Sequence, residues 1–125
     1  MFWAKKKILV IDDEADLIFF VKKNLEADGE FEVFTATDGR SGIAKAVSKK
    51  PDLILLDIIM PYMDGLTVLE ILKRQKHQTR TIPVAMLTAK RESKYILQAE
   101  KLGIVDYIMK PFTIEELKKM INRHV

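Results

Sequence analysis

The sequence predicts an α/β protein, a parallel sheet of five strands wrapped by five helices. Three observations predict it. Short apolar runs alternate with longer amphipathic stretches along the chain. Two of the runs are continuous rather than alternating, as strands buried on both faces must be. Glycine, proline and capping residues stand where each stretch should stop or start. Five strands alternating with five helices give a doubly wound sheet with right-handed crossovers.

The first strand is Ile8-Leu9-Val10-Ile11. The stretch from Glu14 to Asp28 reads as a helix, with Leu17, Ile18, Val21 and Leu25 on one stripe and Gly29 as its terminator. Phe31 to Ala36 alternates more and contains Glu32, so it reads as an outer strand. A second helix runs from about Arg40 to Lys49, and Pro51 stops it. Leu53-Ile54-Leu55-Leu56 is a buried strand, and Leu66, Leu69 and Leu72 mark the third helix. Ile82 to Leu87 is the fourth strand, with Pro83 near its start, where a missing donor is tolerated. Tyr95, Ile96, Ala99 and Leu102 stripe the fourth helix, which Gly103 can cap. The charged cluster Lys90, Arg91, Glu92 and Lys94 reads as the solvated start of that helix. Ile104 to Met109 is the fifth strand. Thr113-Ile114-Glu115-Glu116 has the capping-box pattern, and Ile114, Leu117 and Ile121 give the last helix its buried face.

The chain has 125 residues, which fits one domain spanning residues 1–125. With no cysteine there is no disulfide, thiolate nucleophile or cysteine metal site. His77 and His124 lack ligand spacing. No apolar run approaches the roughly 18 residues of a spanning helix. Met1-Phe2-Trp3-Ala4 followed by three lysines lacks the apolar stretch of a secretory signal. A cytoplasmic domain with no membrane contact is therefore expected. The net charge of +3 is mild and the charges are mixed. Even the densest basic stretch, Lys73, Arg74, Lys76, His77 and Arg80, carries no interleaved aromatic residues, so no direct nucleic-acid contact is expected.

In open α/β sheets ligands bind beyond the carboxyl ends of the strands. Strand one ends in Asp12-Asp13, strand three in Asp57, strand four in Thr88, and strand five in Lys110 before Pro111. A strand-ending Asp is by itself more often a cap or turn former. Together these ends deliver three carboxylates, a hydroxyl and an ammonium to one edge. Three adjacent carboxylates repel and need a compensating cation. One lysine cannot neutralise three acids, whereas a hard divalent ion can: Mg²⁺ typically keeps several waters and takes one or two carboxylates. No histidine or cysteine stands at these ends as a general base. A carboxylate nucleophile, a metal and a lysine suit phosphoryl transfer, with an acyl phosphate as the covalent product.

At these residues the chain resembles a response-regulator receiver domain over essentially its full length. The resemblance is carried by Ile8-Leu9-Val10-Ile11-Asp12-Asp13-Glu14, Pro51-Asp52-Leu53-Ile54-Leu55-Leu56-Asp57-Ile58-Ile59-Met60-Pro61, Met63-Asp64-Gly65, Ile82-Pro83-Val84, Leu87-Thr88-Ala89 and Lys110-Pro111-Phe112. It implies a flavodoxin-like sheet with strand order 2-1-3-4-5. It implies that a sensor histidine kinase or a histidine phosphotransfer protein phosphorylates Asp57. Asp13 and Asp57 would bind Mg²⁺, or another divalent cation such as Mn²⁺, directly; Asp12 would act through water and the Ile59 carbonyl would add a ligand. Lys110 would pair with the phosphoryl group, the Thr88 hydroxyl would swing toward it, and the Ala89 amide would help bind it. Tyr107 occupies the aromatic-switch position; without the resemblance it reads as a core or rim tyrosine with a wetted hydroxyl. Lys110-Pro111 would be cis, which proline permits. The face built from helix four, strand five and helix five would control a downstream target or a covalently linked effector, or form a homodimer on phosphorylation. Such a domain catalyses only its own phosphorylation and dephosphorylation and is not otherwise an enzyme.

Two positions depart from the commonest family pattern. Ile59, two after the acceptor, is bulky and apolar where the family tunes the approach of hydrolytic water, which implies slow self-dephosphorylation. Ile104 stands where a small residue often follows the glycine. Two rival readings are weaker. A haloacid-dehalogenase-type phosphatase needs a second acid two residues after the nucleophile, where Ile59 stands. A receiver-like docking module has usually lost an acid or the lysine, and all are present here.

Overall fold

Strands whose every side chain is apolar can only sit where both faces are covered. Ile8, Leu9, Val10 and Ile11 are fully buried in the computed structural model, as are Leu53, Ile54, Leu55 and Leu56. The structure describes residues 4–74 and 78–125. Strands β1 (Lys6–Ile11), β2 (Phe31–Ala36), β3 (Leu53–Asp57), β4 (Val84–Ala89) and β5 (Asp106–Lys110) form one sheet in the order β2-β1-β3-β4-β5. All four pairings are parallel, with Ile11 beside Leu56, Leu56 beside Met86 and Leu87 beside Ile108. The helices are α1 (Ala15–Glu26), α2 (Gly39–Lys49), α3 (Gly65–Arg74), α4 (Ile96–Lys101) and α5 (Ile114–Asn122). The predicted doubly wound α/β class and strand order are those observed.

Side chains alternate across a strand, so each buried strand feeds two cores. Leu9, Ile11, Ile54, Leu56, Val84 and Met86 pack against Val68, Leu69 and Leu72 of α3, Ala46 of α2 and Ile96 and Ala99 of α4. Ile8, Val10, Leu53, Leu55, Ala85 and Leu87 pack on the other face against Val21 and Leu25 of α1 and Leu117, Met120 and Ile121 of α5. Each fully buried aliphatic side chain contributes roughly 1.5–3 kcal/mol.

The termini signals act as read. Gly103 (φ +95°) adopts the left-handed conformation just past α4, while α1 ends at Glu26, two residues earlier than expected, with Gly29 (φ +76°) left-handed in the turn that follows. Thr113 accepts the Glu116 amide at 3.1 Å while Glu116 accepts the Thr113 amide at 3.1 Å. Asp38, not singled out beforehand, accepts the Ser41 amide at 2.9 Å and starts α2 one residue earlier than expected. β4 and β5 start at Val84 and Asp106, two residues after their apolar runs begin, and run to Ala89 and Lys110, so Thr88 lies inside β4 and Lys110 ends β5.

The charged cluster after β4 needs correction. Residues Lys90–Tyr95 form a 3₁₀ segment, not the first turn of α4. Lys90, Arg91 and Lys94 are solvated, but Glu92 is buried, because its carboxylate accepts the Ala89 amide at 3.0 Å and is thereby drawn under the chain.

Two charged clusters serve the fold. On the outer edge of β2, Glu26 of α1 accepts the Val33 amide at 2.9 Å, Lys22 donates to the Val33 carbonyl at 2.7 Å, and Lys45 of α2 donates to the Thr35 carbonyl. In the basic stretch, Lys73 donates to the carbonyls of Arg80 (3.3 Å) and Ile82 (3.2 Å), and Arg74 pairs with Glu70 at 3.1 Å. Lys76 and His77 of that stretch, and Met1, Phe2 and Trp3, lie outside the described residues. No helix among the described residues is long and apolar enough to cross a membrane.

Candidate functional site

Parallel register lines up the carboxyl ends of the strands, so residues that end different strands meet at one edge. Asp57 ends β3 and pairs in register with Leu87, one residue before Thr88; Ala89 and Lys110 are direct neighbours across β4 and β5. Asp12 and Asp13 follow β1, whose register with β3 sets Ile11 beside Leu56. Carboxylate oxygens of Asp12, Asp13 and Asp57 all lie within 4.8 Å of one another. Asp12 is fully buried, Asp57 is 3% exposed, and Asp13 is exposed.

Lys110 reaches into this group. Its Nζ is 2.8 Å from Asp12 Oδ2, 3.0 Å from Glu14 Oε1 and 3.4 Å from Asp57 Oδ1. Asp12 Oδ1 accepts the Glu14 amide at 2.9 Å. The buried Oδ2 of Asp12 has the Lys110 ammonium as its partner among the described residues. One ammonium thus serves three acids and satisfies none fully.

Burial, then the neighbouring charge of Asp12, push the Asp57 carboxyl up to about 7, against the opposing pull of Lys110. Burial also raises Asp12, with Lys110 opposing. On Lys110 burial works against the charge, but the carboxylates of Asp12 and Glu14 outweigh it and hold the ammonium above the usual lysine range. A group of acids this short of positive charge fits a divalent cation. Asp12, Asp13 and Asp57 are the residues that could hold it.

In front of the acids lies a cavity of about 440 Å³, lined by Asp13, Glu14, Asp57, Ile59, Met60, Pro61, Ala89, Arg91, Glu92 and Lys110. Ile59 stands at this wall and is 46% exposed. Thr88 is fully buried beside it, and its hydroxyl donates to the Ala89 carbonyl at 3.1 Å. Tyr107 is farther back on β5, 44% exposed. The Lys110-Pro111 peptide is cis. The structure therefore gathers Asp12, Asp13, Asp57, Ile59, Ala89 and Lys110, sets Thr88 next to them, and leaves Tyr107 outside.

Three site residues were not singled out from the sequence. Glu14 has in the sequence only the look of a helix start, yet it holds Lys110 from 96 positions away. Glu92 stands among solvated charges in the sequence, yet it is buried. Gly65 carries no chemical group of its own; a Cβ there would stand 2.0 Å from the Asp57 carbonyl oxygen, and its amide donates to the Ile58 carbonyl at 2.6 Å. Only a residue without a side chain lets α3 start this close to Asp57. Its signal was present in Asp64-Gly65, a cap followed by a glycine; Asp64 accepts the Thr67 amide at 2.9 Å.

A 2-1-3-4-5 parallel sheet whose carboxyl edge gathers three acids against one lysine defines a receiver-type α/β domain. Residues 8–122 match the model of the response regulator receiver domain, and the chain belongs to that family. It is 41% identical over 117 residues to the alkaline phosphatase synthesis transcriptional regulatory protein PhoP of Bacillus subtilis, covering 94% of this chain and 47% of that protein. It is 43% identical over 111 residues to the DNA-binding dual master transcriptional regulator RpaA of Synechocystis, covering 89% of this chain and 45% of that protein. The chain thus spans about half the length of these curated relatives. Among solved structures it is similar to the chemotaxis protein CheY4 of Vibrio cholerae, with a TM-score of 0.89 and 32% identity over 98% of this chain and 100% of that one.

Proposed function

We propose that Asp57 accepts a phosphoryl group from a phosphohistidine of a sensor kinase or phosphotransfer protein, and that the domain passes this event on through its α4-β5-α5 face. The observation that supports this most is Asp57 itself: a nearly buried carboxylate between two further acids and one lysine, opening on a cavity.

In the transfer, an Asp57 carboxylate oxygen attacks phosphorus. The P–O bond forms as the P–N bond breaks, the imidazole leaves with the electron pair, and it takes a proton from solvent. A divalent cation such as Mg²⁺, held by Asp13 and Asp57 with Asp12 acting through water and the Ile59 carbonyl as a further ligand, would offset charge on the phosphoryl oxygens. Lys110 turns from Glu14 toward the new oxygens. Burial of Asp57 limits water at the acyl phosphate. The domain has no other substrate in this reading.

The added charge and acceptor oxygens then bias the switch. The Thr88 hydroxyl leaves the Ala89 carbonyl for a phosphoryl oxygen, and Tyr107 moves from solvent into the space it vacates. Shifting a population from 1:99 to 99:1 takes about 5.5 kcal/mol. Two or three hydrogen bonds to a charged group, each worth about 1.5–3 kcal/mol, are of that order. The exposed side chains on this face, Leu97, Val105, Tyr107 and Met109, are the surface offered to a target, a linked effector or a second copy. That the relatives PhoP and RpaA are transcriptional regulators supports control of gene expression, exerted in the cytoplasm without direct nucleic-acid contact by this domain.

The test is uptake from a small phosphodonor with Mg²⁺, followed by intact-protein mass spectrometry. Wild type is expected to gain one hydroxylamine-labile phosphoryl group. Asp57→Asn is expected to gain none, and uptake by that variant would refute the assignment.

A further inference from the structure

Glu92 is a carboxylate with no part in the transfer proposed above. It lies in a segment of solvated charges yet is 6% exposed. Among the described residues no cation lies within ion-pair distance of it. Its partner is the Ala89 amide, 3.0 Å from Oε1. Burying a carboxylate is costly unless it is well paired, and here its hydrogen-bond partner among the described residues is one backbone N–H. The same carboxylate lines the cavity in front of Asp57, and Ala89 is the direct cross-strand neighbour of Lys110.

We infer that Glu92 is a built-in competitor for the phosphoryl group: its carboxylate occupies the Ala89 amide in the unphosphorylated domain and leaves when a phosphoryl oxygen takes that donor. The inference rests on the acceptor role of Asp57 proposed above. One N–H cannot satisfy two anions, and two anions on neighbouring positions repel. The segment that carries Glu92 is a six-residue 3₁₀ turn, which has poorer hydrogen-bond geometry than an α-helix. It leads directly into α4 at Ile96. Release of Glu92 therefore moves the start of α4, by a route separate from Thr88 and Tyr107. Glu92 is a positioning residue: it sets how readily the phosphoryl group is held and carries its arrival to the helix.

The test uses beryllium fluoride with saturating Mg²⁺ as the phosphoryl mimic, on wild type, Glu92→Ala and Glu92→Gln. Affinity is read by calorimetry and the Ala89 amide by NMR. Glu92→Ala is expected to bind the mimic about tenfold tighter than wild type, the size of one charge-assisted hydrogen bond no longer displaced. Glu92→Gln keeps the side-chain length and a neutral acceptor, and is expected to move the same way by less. The gain should persist at about 0.5 M salt, where a long-range charge effect is screened. At saturation the Ala89 amide shifts of the three proteins should converge. Equal or weaker binding by both variants, a gain abolished by salt, or an Ala89 shift that still differs at saturation would each overturn the inference. Failure of wild type itself to bind the mimic would overturn the acceptor reading beneath it, a separate outcome.

Discussion

Two residues near the cavity pull against ordinary preferences. Tyr62 has φ +69° and is fully exposed, so it holds a left-handed backbone with no packing in return. That conformation costs a non-glycine residue roughly 1–2 kcal/mol, and glycine's extra chain entropy takes back about 0.5–1 kcal/mol. Tyr62→Gly is expected to stabilise the domain by about 0.5–1 kcal/mol, measured by urea unfolding at constant slope. Ile59 puts an apolar branched side chain at the wall of the cavity that Asp57 also lines. On the proposed acyl phosphate, a water approaching phosphorus from that cavity would meet it. Ile59→Asn offers a group that can hold such a water, so the phosphoryl lifetime is expected to shorten several-fold in a chase without donor. An unchanged lifetime would remove Ile59 from that role. The acids, Thr88 and Lys110 were readable one by one because each ends a recognisable apolar run. Glu92 was not, because its neighbours are all solvated and only its reach back to Ala89 buries it.

At the scale of elements, β2 shows how an edge strand is kept from pairing with another chain. Exposed edges present free N–H and C=O groups. Here Glu26 and Lys22 of α1 take the amide and carbonyl of Val33, and Lys45 of α2 takes the carbonyl of Thr35. The hydrogen bond from the Val33 amide, more than any other contact, holds the Glu26 carboxyl below its usual range although burial opposes it. Replacing Lys22 and Glu26 together with alanine is expected to leave the fold intact but raise concentration-dependent association, followed by light scattering. Association no greater than wild type would show that edge protection lies elsewhere. The amphipathic period identified α1 and its buried stripe. It did not reveal that the outward side chains of α1 bond to a strand, because periodicity assigns a face and not a partner.

For the whole molecule, the clustering of acids makes stability depend on pH and metal together. The Asp57 carboxyl titrates near 3.8 when unfolded and at about 7 when folded. Between those values the folded state holds a proton that the unfolded chain has released. Stability in chelator-treated buffer therefore falls as pH rises from about 4 to about 7 and levels off above that. Asp57→Asn removes the titrating group. It is expected to flatten this dependence and to exceed wild type at pH 8 by roughly 2–4 kcal/mol. A divalent cation competes with the same proton, so Mg²⁺ should stabilise wild type more at pH 8 than at pH 5. Thermal unfolding with and without chelator checks both. A metal-free stability that rises between pH 5 and 7, or an Asp57→Asn variant with the wild-type profile, would contradict the site geometry.

The sequence by itself determined the alternation of strands and helices, their stop signals, and which residues end each strand. These are local properties: side-chain period, capping chemistry and backbone freedom act within a few residues. Because all five strands run parallel, that local knowledge also placed Asp12, Asp13, Asp57, Thr88 and Lys110 at one edge. Only the tertiary structure decided how they meet. Lys110 bonds to Glu14 as well as pairing with Asp12, Tyr107 lies outward, Gly65 abuts the Asp57 carbonyl, and Glu92 closes on Ala89. Each of these depends on distances between segments far apart in the chain or on the path of a turn, and on competition among charges for one buried ammonium, which no single stretch of sequence contains.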